Sequence, residues 1–148
     1  MSNETDVSVL NGLIKTTLDS MKGYEDAAKD AESTQFATMF ADFARDRAQV
    51  ATKLQNQVRT LGGEPELDSS MLAAAHRTLM DLKQAITGKD DKAIINEVER
   101  GEDHIKAKYE DAMKDTDVSP ATQAVIKDGF ASVREGHDKM SALKHSLT

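Results

Sequence analysis

Apolar side chains recur at three- and four-residue spacing along four long stretches of this chain, the period of an amphipathic helix. The first stretch carries Val7, Leu10, Ile14, Leu18, Met21 and Ala28, and the second Phe36, Phe40, Phe43, Val50, Leu54, Val58 and Leu61. The third carries Ile94, Ile95, Val98, Ile105, Tyr109 and Ala112, and the fourth Ile126, Phe130, Val133, Met140 and Leu147. Asp6 is placed to cap a helix running to about Glu32, and Ser33 to cap the next. Leu61-Gly62-Gly63-Glu64-Pro65 supplies a glycine stop followed by a proline that cannot continue the helix. Asp90 or Asp91 opens the third long helix, which runs to about Asp115, and Ser119-Pro120 reads as N-cap and first-turn proline of the fourth. No strand-like alternation, repeat or low-complexity tract interrupts this pattern. The pattern predicts one all-α domain over residues 1–148, a four-helix bundle.

The connection between the second and third helices selects the topology. Gly62 to Lys89 is 28 residues, far more than antiparallel neighbours need. Within it, Leu72, Ala75, Leu79, Leu82 and Ile86 fall on one face of a shorter helix from roughly Ser69 to Thr87, which ends at Gly88. Such a helix spans about 27 Å, enough to return the chain along the bundle and restart it in the same direction. This is the single long crossover of ferritin-like folds.

Composition narrows the function by exclusion. Nineteen basic against 26 acidic side chains give a net charge of −7, a surface that repels phosphate backbones, so no nucleic-acid partner is expected. The absence of cysteine removes disulfides, thiolate metal sites and cysteine nucleophiles, and fits a reducing compartment. The start MSNETDVSV lacks the basic and apolar regions of a secretory signal, and no apolar run reaches the ~18 residues of a membrane span. A cytoplasmic location without membrane association is the expectation. Neither Gly-x-Ser-x-Gly nor a glycine-rich phosphate loop is present.

One polar side chain interrupts the apolar stripe of each long helix: Glu25, Arg47, Glu102 and His137, with Glu99 on the stripe's edge one turn before Glu102. Charged groups enter a core when they are paired or ligate metal. Counting from the turns places these five in adjacent layers when the crossover topology is assumed, and separates Glu25 from the rest in a simple up-down bundle. Two readings compete. In one, Glu25, Glu99, Glu102 and His137 remain from a carboxylate-bridged di-metal site, which would select iron or manganese. In the other, Arg47 supplies the positive charge itself and forks onto Glu102 or Glu99, so that no cofactor is required. The second helix decides between them, since it offers Arg47 and Val50 where di-metal bundles place Glu-x-x-His.

Leu61-Gly62-Gly63-Glu64-Pro65, Ala75-His76-Arg77, Asp81-Leu82-Lys83, the helix-three segment Glu97-Val98-Glu99-Arg100-Gly101-Glu102-Asp103 and Gly136-His137-Asp138 resemble an uncharacterised bacterial ferritin-like four-helix-bundle family of unknown function. The resemblance covers nearly the whole chain. It implies the ferritin-like fold and brings no established activity or catalytic residue. The chain differs from iron-storing ferritins and rubrerythrins in lacking the ligand pair on the second helix. The expected function is that of a small, non-catalytic ferritin-like protein with a degenerate di-metal site. The alternative is a di-iron or manganese carboxylate protein with redox or iron-handling activity.

The remaining features carry less chemistry. His76, His104 and His145 read as structural or solvated. Gly101 and Gly136 each precede a polar seam residue, and signal either close helix approach or room for something bound. Ala37, Ala41, Ala44, Ala48 and Ala51 widen the apolar arc of the second helix. They suit packing within the bundle or a homodimer through the first two helices.

Overall fold

The computed structural model describes residues 3–67 and 91–146, which form four helices: α1 (Asn3–Asp30), α2 (Thr34–Thr60), α3 (Asp91–Met113) and α4 (Pro120–Ser146). The expected crossover helix from Ser69 to Thr87, with His76, lies outside the described residues. Ser33 is extended and its hydroxyl accepts the Phe36 N–H, capping α2 as its residue type predicts. At the other end Gly62 adopts φ +81°, the left-handed conformation that closes a helix and that glycine tolerates best. Gly63 then packs so close to Val7 and Val58 that a Cβ there would lie 2.7 Å from a Val7 methyl.

Asp6 does not cap α1. The helix starts three residues earlier, because the Asp6 carboxylate is engaged elsewhere: it accepts the Ser119 N–H at 3.0 Å, the Ser119 hydroxyl and the Thr122 hydroxyl at 2.9 Å. It therefore satisfies the first turn of α4 from another helix, placing negative charge at that helix's positive end. At the opposite end of the bundle, the Asp91 carboxylate accepts the N–H groups of Glu32 and Ser33 at 2.7 and 3.0 Å. These two contacts set the topology. The start of α1 shares one end with the α3–α4 turn, and the α1–α2 turn shares the other with the start of α3. Helices α2 and α3 therefore run in the same direction, the ferritin-like arrangement. Both α2 and α3 pack against α1 and α4, and they face each other across the diagonal.

Burial opposes the charge on Asp6, but its three donors from Ser119 and Thr122 outweigh burial and hold the carboxyl below the ordinary carboxylate range. A carboxyl whose pKa falls on folding stabilises the fold above its unfolded value of about 4, and that contribution is lost as the pH drops through the lowered one. Asp6→Asn is expected to cost about 1–3 kcal/mol at pH 7, the usual range for a lost charged acceptor. Urea denaturation at pH 7 and at successively lower pH checks this: the gap from wild type should be full at pH 7 and narrow as the pH falls below about 4.

The core forms two apolar clusters stacked along the bundle. One gathers Leu10, Ile14, Leu54, Val58, Ile105, Tyr109, Ile126 and Val133 near the Asp6 end. The other gathers Tyr24, Ala27, Phe40, Ala44, Ile94, Ile95 and Met140 towards the Asp91 end. Buried Arg47 and Glu102 belong to neither cluster.

Candidate functional site

Each long helix contributes to the polar layer. On α2, the spacing Phe40, Ala44, Arg47, Val50/Ala51, Leu54, Val58 keeps Arg47 on the buried face, where it is 0% exposed. On α3, Ile94/Ile95, Glu102, Ile105, Tyr109 and Ala112 place Glu102 opposite it, 1% exposed. Arg47 Nη2 donates to Glu102 Oε2 at 2.8 Å, and Nη1 to the Ser20 hydroxyl of α1 at 2.9 Å. The guanidinium carbon lies 5.5 Å from the centroid of the Tyr24 ring, a cation–π distance. Tyr24 in turn stacks on Phe43 at 5.2 Å.

The fourth wall is Gly136 on α4. A Cβ there would sit 2.4 Å from Arg47 Nη2 and 3.1 Å from Glu102 Oε2, so the missing side chain is what admits the ion pair. Gly101 differs, since a Cβ on it meets nothing within 4 Å. It borders a groove of about 520 Å³ between α1 and α3, which Gly23, Ala27, Ile94, Val98 and Ile105 also line. The two glycines predict opposite outcomes. Gly101→Ala should stabilise by about 1 kcal/mol through helix propensity. Gly136→Ala should destabilise by about 1–3 kcal/mol through overpacking against a pinned guanidinium. Paired urea midpoints of the two variants check both signs.

Electrostatics follow the geometry. Burial works against the Arg47 cation, but the adjacent Glu102 carboxylate and Tyr24 more than offset it, so its pKa is raised and it stays charged. Burial, and after it the Glu102 charge, lift the Tyr24 phenol well above the ordinary range. Nearby, Tyr109 is pushed up to about 12 by burial, although its hydroxyl is within 2.6 Å of the Thr17 hydroxyl. Two polar atoms in this layer, the Tyr24 hydroxyl and Arg47 Nε, have no hydrogen-bond partner of sound geometry among the described residues.

Of the five side chains the sequence places in the seam, Arg47 and Glu102 meet in the interior. Glu25 is displaced to a half-exposed position beside Lys22, 4.0 Å away. The buried place on α1 belongs to its neighbour Tyr24. Glu99 and His137 meet on the outer seam between α3 and α4, not with Arg47. Glu99 accepts from Lys144 at 3.2 Å, while His137 Nε2 lies 2.6 Å from Asp103 and its Nδ1 3.3 Å from Asp138. Among the described residues, the ligand atoms that approach within 4.8 Å of one another are those of Glu99, Asp103 and His137. Sequence reasoning passed over Ser20, Tyr24 and Asp103. The four-residue spacing from Glu99 to Asp103 was the available signal for the last, since it puts both carboxylates on one helix face.

Two solved structures share this architecture. A dodecameric thioferritin, the bacterioferritin-related protein of Bacteroides fragilis, matches with a TM-score of 0.79 at 14% identity, over 99% of this chain and 88% of that one. A two-domain protein of Anabaena variabilis, with DJ-1/ThiJ/PfpI-like and ferritin-like domains, matches with a TM-score of 0.76 at 12% identity over 99% of this chain. The present chain spans 38% of the Anabaena protein. At these identities the likeness shows the fold: an all-α, ferritin-like four-helix bundle. No curated protein matches the chain. A family profile described as a domain of unknown function, DUF2383, matches residues 5–115. No helix among the described residues is long and apolar enough to cross a membrane.

Proposed function

Since the chain belongs to the DUF2383 family, we propose that it is a non-catalytic ferritin-like module in which Arg47 occupies the interior position that a metal fills in di-metal bundles. The observation that carries this reading is the Arg47–Glu102 pair, fully buried and 2.8 Å apart. Di-metal bundles surround their ions with carboxylates from four helices and imidazole from two. Here α2 gives a guanidinium and α4 gives a glycine at the same layer, leaving Glu102 as the buried carboxylate. A divalent ion and a guanidinium compete for that carboxylate at close quarters. Metal analysis after growth in iron- and manganese-supplemented medium tests the reading, with wild type and Glu102→Gln compared. Equal metal content in the two proteins is expected. Stoichiometric iron or manganese that disappears in Glu102→Gln would overturn it in favour of a metal-dependent redox or iron-handling protein.

A module of this kind acts through surfaces, and the first partner we propose is a second copy through α1 and α2. The support is the flank of α2 that carries Ala37, Ala41 and Ala48, each half-buried at the edge of the stripe that buries Ala44 and Ala51. The Bacteroides fragilis protein with this fold is a dodecamer. Sedimentation should show self-association of wild type and a monomer for Ala41→Glu.

A further inference from the structure

We propose that Glu99, Asp103 and His137 form a site for a single divalent transition-metal cation on the outer seam of α3 and α4, separate from the interior ion pair. Glu99 and Asp103 are four residues apart on α3 and so point from the same face. His137 reaches across from α4, and one ligand atom from each of the three lies within 4.8 Å of the others. Metal–ligand bonds of about 2.1 Å bring donors to about 3–4 Å of one another, so a rotamer-scale adjustment closes the site. Two carboxylates and one imidazole make a donor set suited to manganese, iron or zinc.

The surroundings of His137 point the same way. Its Nε2 faces Asp103 at 2.6 Å, while its Nδ1 lies 3.3 Å from the Asp138 carboxylate, which is itself 3.9 Å from Arg134. A metal at Nε2 would take the place of the hydrogen that Nε2 directs at Asp103, while an Nδ1–H donated to Asp138 gives the usual support of a metal-bound imidazole. The side chains of Glu99 and His137 are mostly enclosed, at 12% and 15% exposure, whereas Asp103 is 58% exposed. The cation would therefore be held from below and remain open to solvent on the Asp103 side, with positions for water or an exogenous ligand. Lys144 at 3.2 Å from Glu99 takes the part of the positive charge, and a metal would displace it.

Manganese alone serves as the probe. Full-length protein stripped with chelator is titrated with Mn²⁺ and the free-ion EPR signal followed, with thermal melts of every variant as a folding control. One Mn²⁺ per chain is expected. Asp103→Asn, at an exposed position that folding tolerates, and His137→Gln should each weaken binding at least ~10-fold. Asp138→Asn should weaken it by about 10–100-fold, the range for removing the partner of a ligating histidine. Lys144→Met should tighten it, whereas Lys108→Met, which removes an equal charge elsewhere on α3, should not. No Mn²⁺ binding by wild type overturns this site and leaves the reading of Arg47 intact. Stoichiometric Mn²⁺ undiminished in Asp103→Asn and His137→Gln overturns it too, and if Glu102→Gln then releases the ion the reading of Arg47 falls with it.

Discussion

Arg47→Met is expected to unfold about 3–5 kcal/mol more readily than wild type at neutral pH, although methionine matches much of the length and apolarity of the side chain it replaces. The variant leaves the Glu102 carboxylate at 1% exposure with its charge uncompensated, and also removes the donor to Ser20 and the cation over the Tyr24 ring. Folded domains are stable by only about 5–15 kcal/mol, so the loss is a large share of the total. The defect carries a pH signature. A lone buried carboxyl can take up a proton and become neutral, so the deficit should shrink as the pH is lowered from 8 towards 5. Guanidinium denaturation across that range measures it.

Glu102→Met should be at least as damaging, again about 3–5 kcal/mol, and without the pH relief. It strands a fully buried guanidinium whose Nε is already without a partner. That cation has no means of neutralising itself, because an arginine does not give up its proton in this range. Ser20 remains as an acceptor, and Tyr24 as an aromatic face, but neither carries the opposing charge. The same denaturation series should therefore show a deficit that stays flat from pH 8 to pH 5. The contrast between the two profiles separates charge compensation from a change of packing volume, which would leave both deficits independent of pH.

The topology was legible because its signals are local and redundant. Ser33, Gly62 and Pro120 mark helix ends by residue type alone, and a 28-residue connection leaves few ways to join α2 to α3. Arg47 and Glu102 were legible for a related reason: each is a charge set in an otherwise apolar stripe. Glu25 and His137 misled in the same way as each other. In each case the buried place belongs to the preceding residue, Tyr24 or Gly136, one helical position away from the charged or imidazole side chain that drew notice. Glycine contributes nothing to an apolar pattern, yet at 136 its missing side chain makes room for the guanidinium. A rotation of one residue, about 100°, was enough to move His137 from the interior to the outer seam. Asp6 shows a different limit. Its type fits a helix cap, but the helix it serves is α4, more than a hundred residues away in the chain, and only the fold brings the two together.

Arg47 and Glu102 neutralise each other inside the bundle, and a double-mutant cycle measures that coupling. Wild type, Arg47→Met, Glu102→Met and the double variant are unfolded at pH 7 in the presence of chelator. Replacing a whole buried ion pair with apolar side chains of similar size costs far less than breaking it, and is often neutral. The double variant should therefore recover most of the stability lost in either single one, with a coupling energy of at least about 2 kcal/mol, near the top of the range for contacting residues. Additive losses, with the double variant the least stable of the four, would contradict the account.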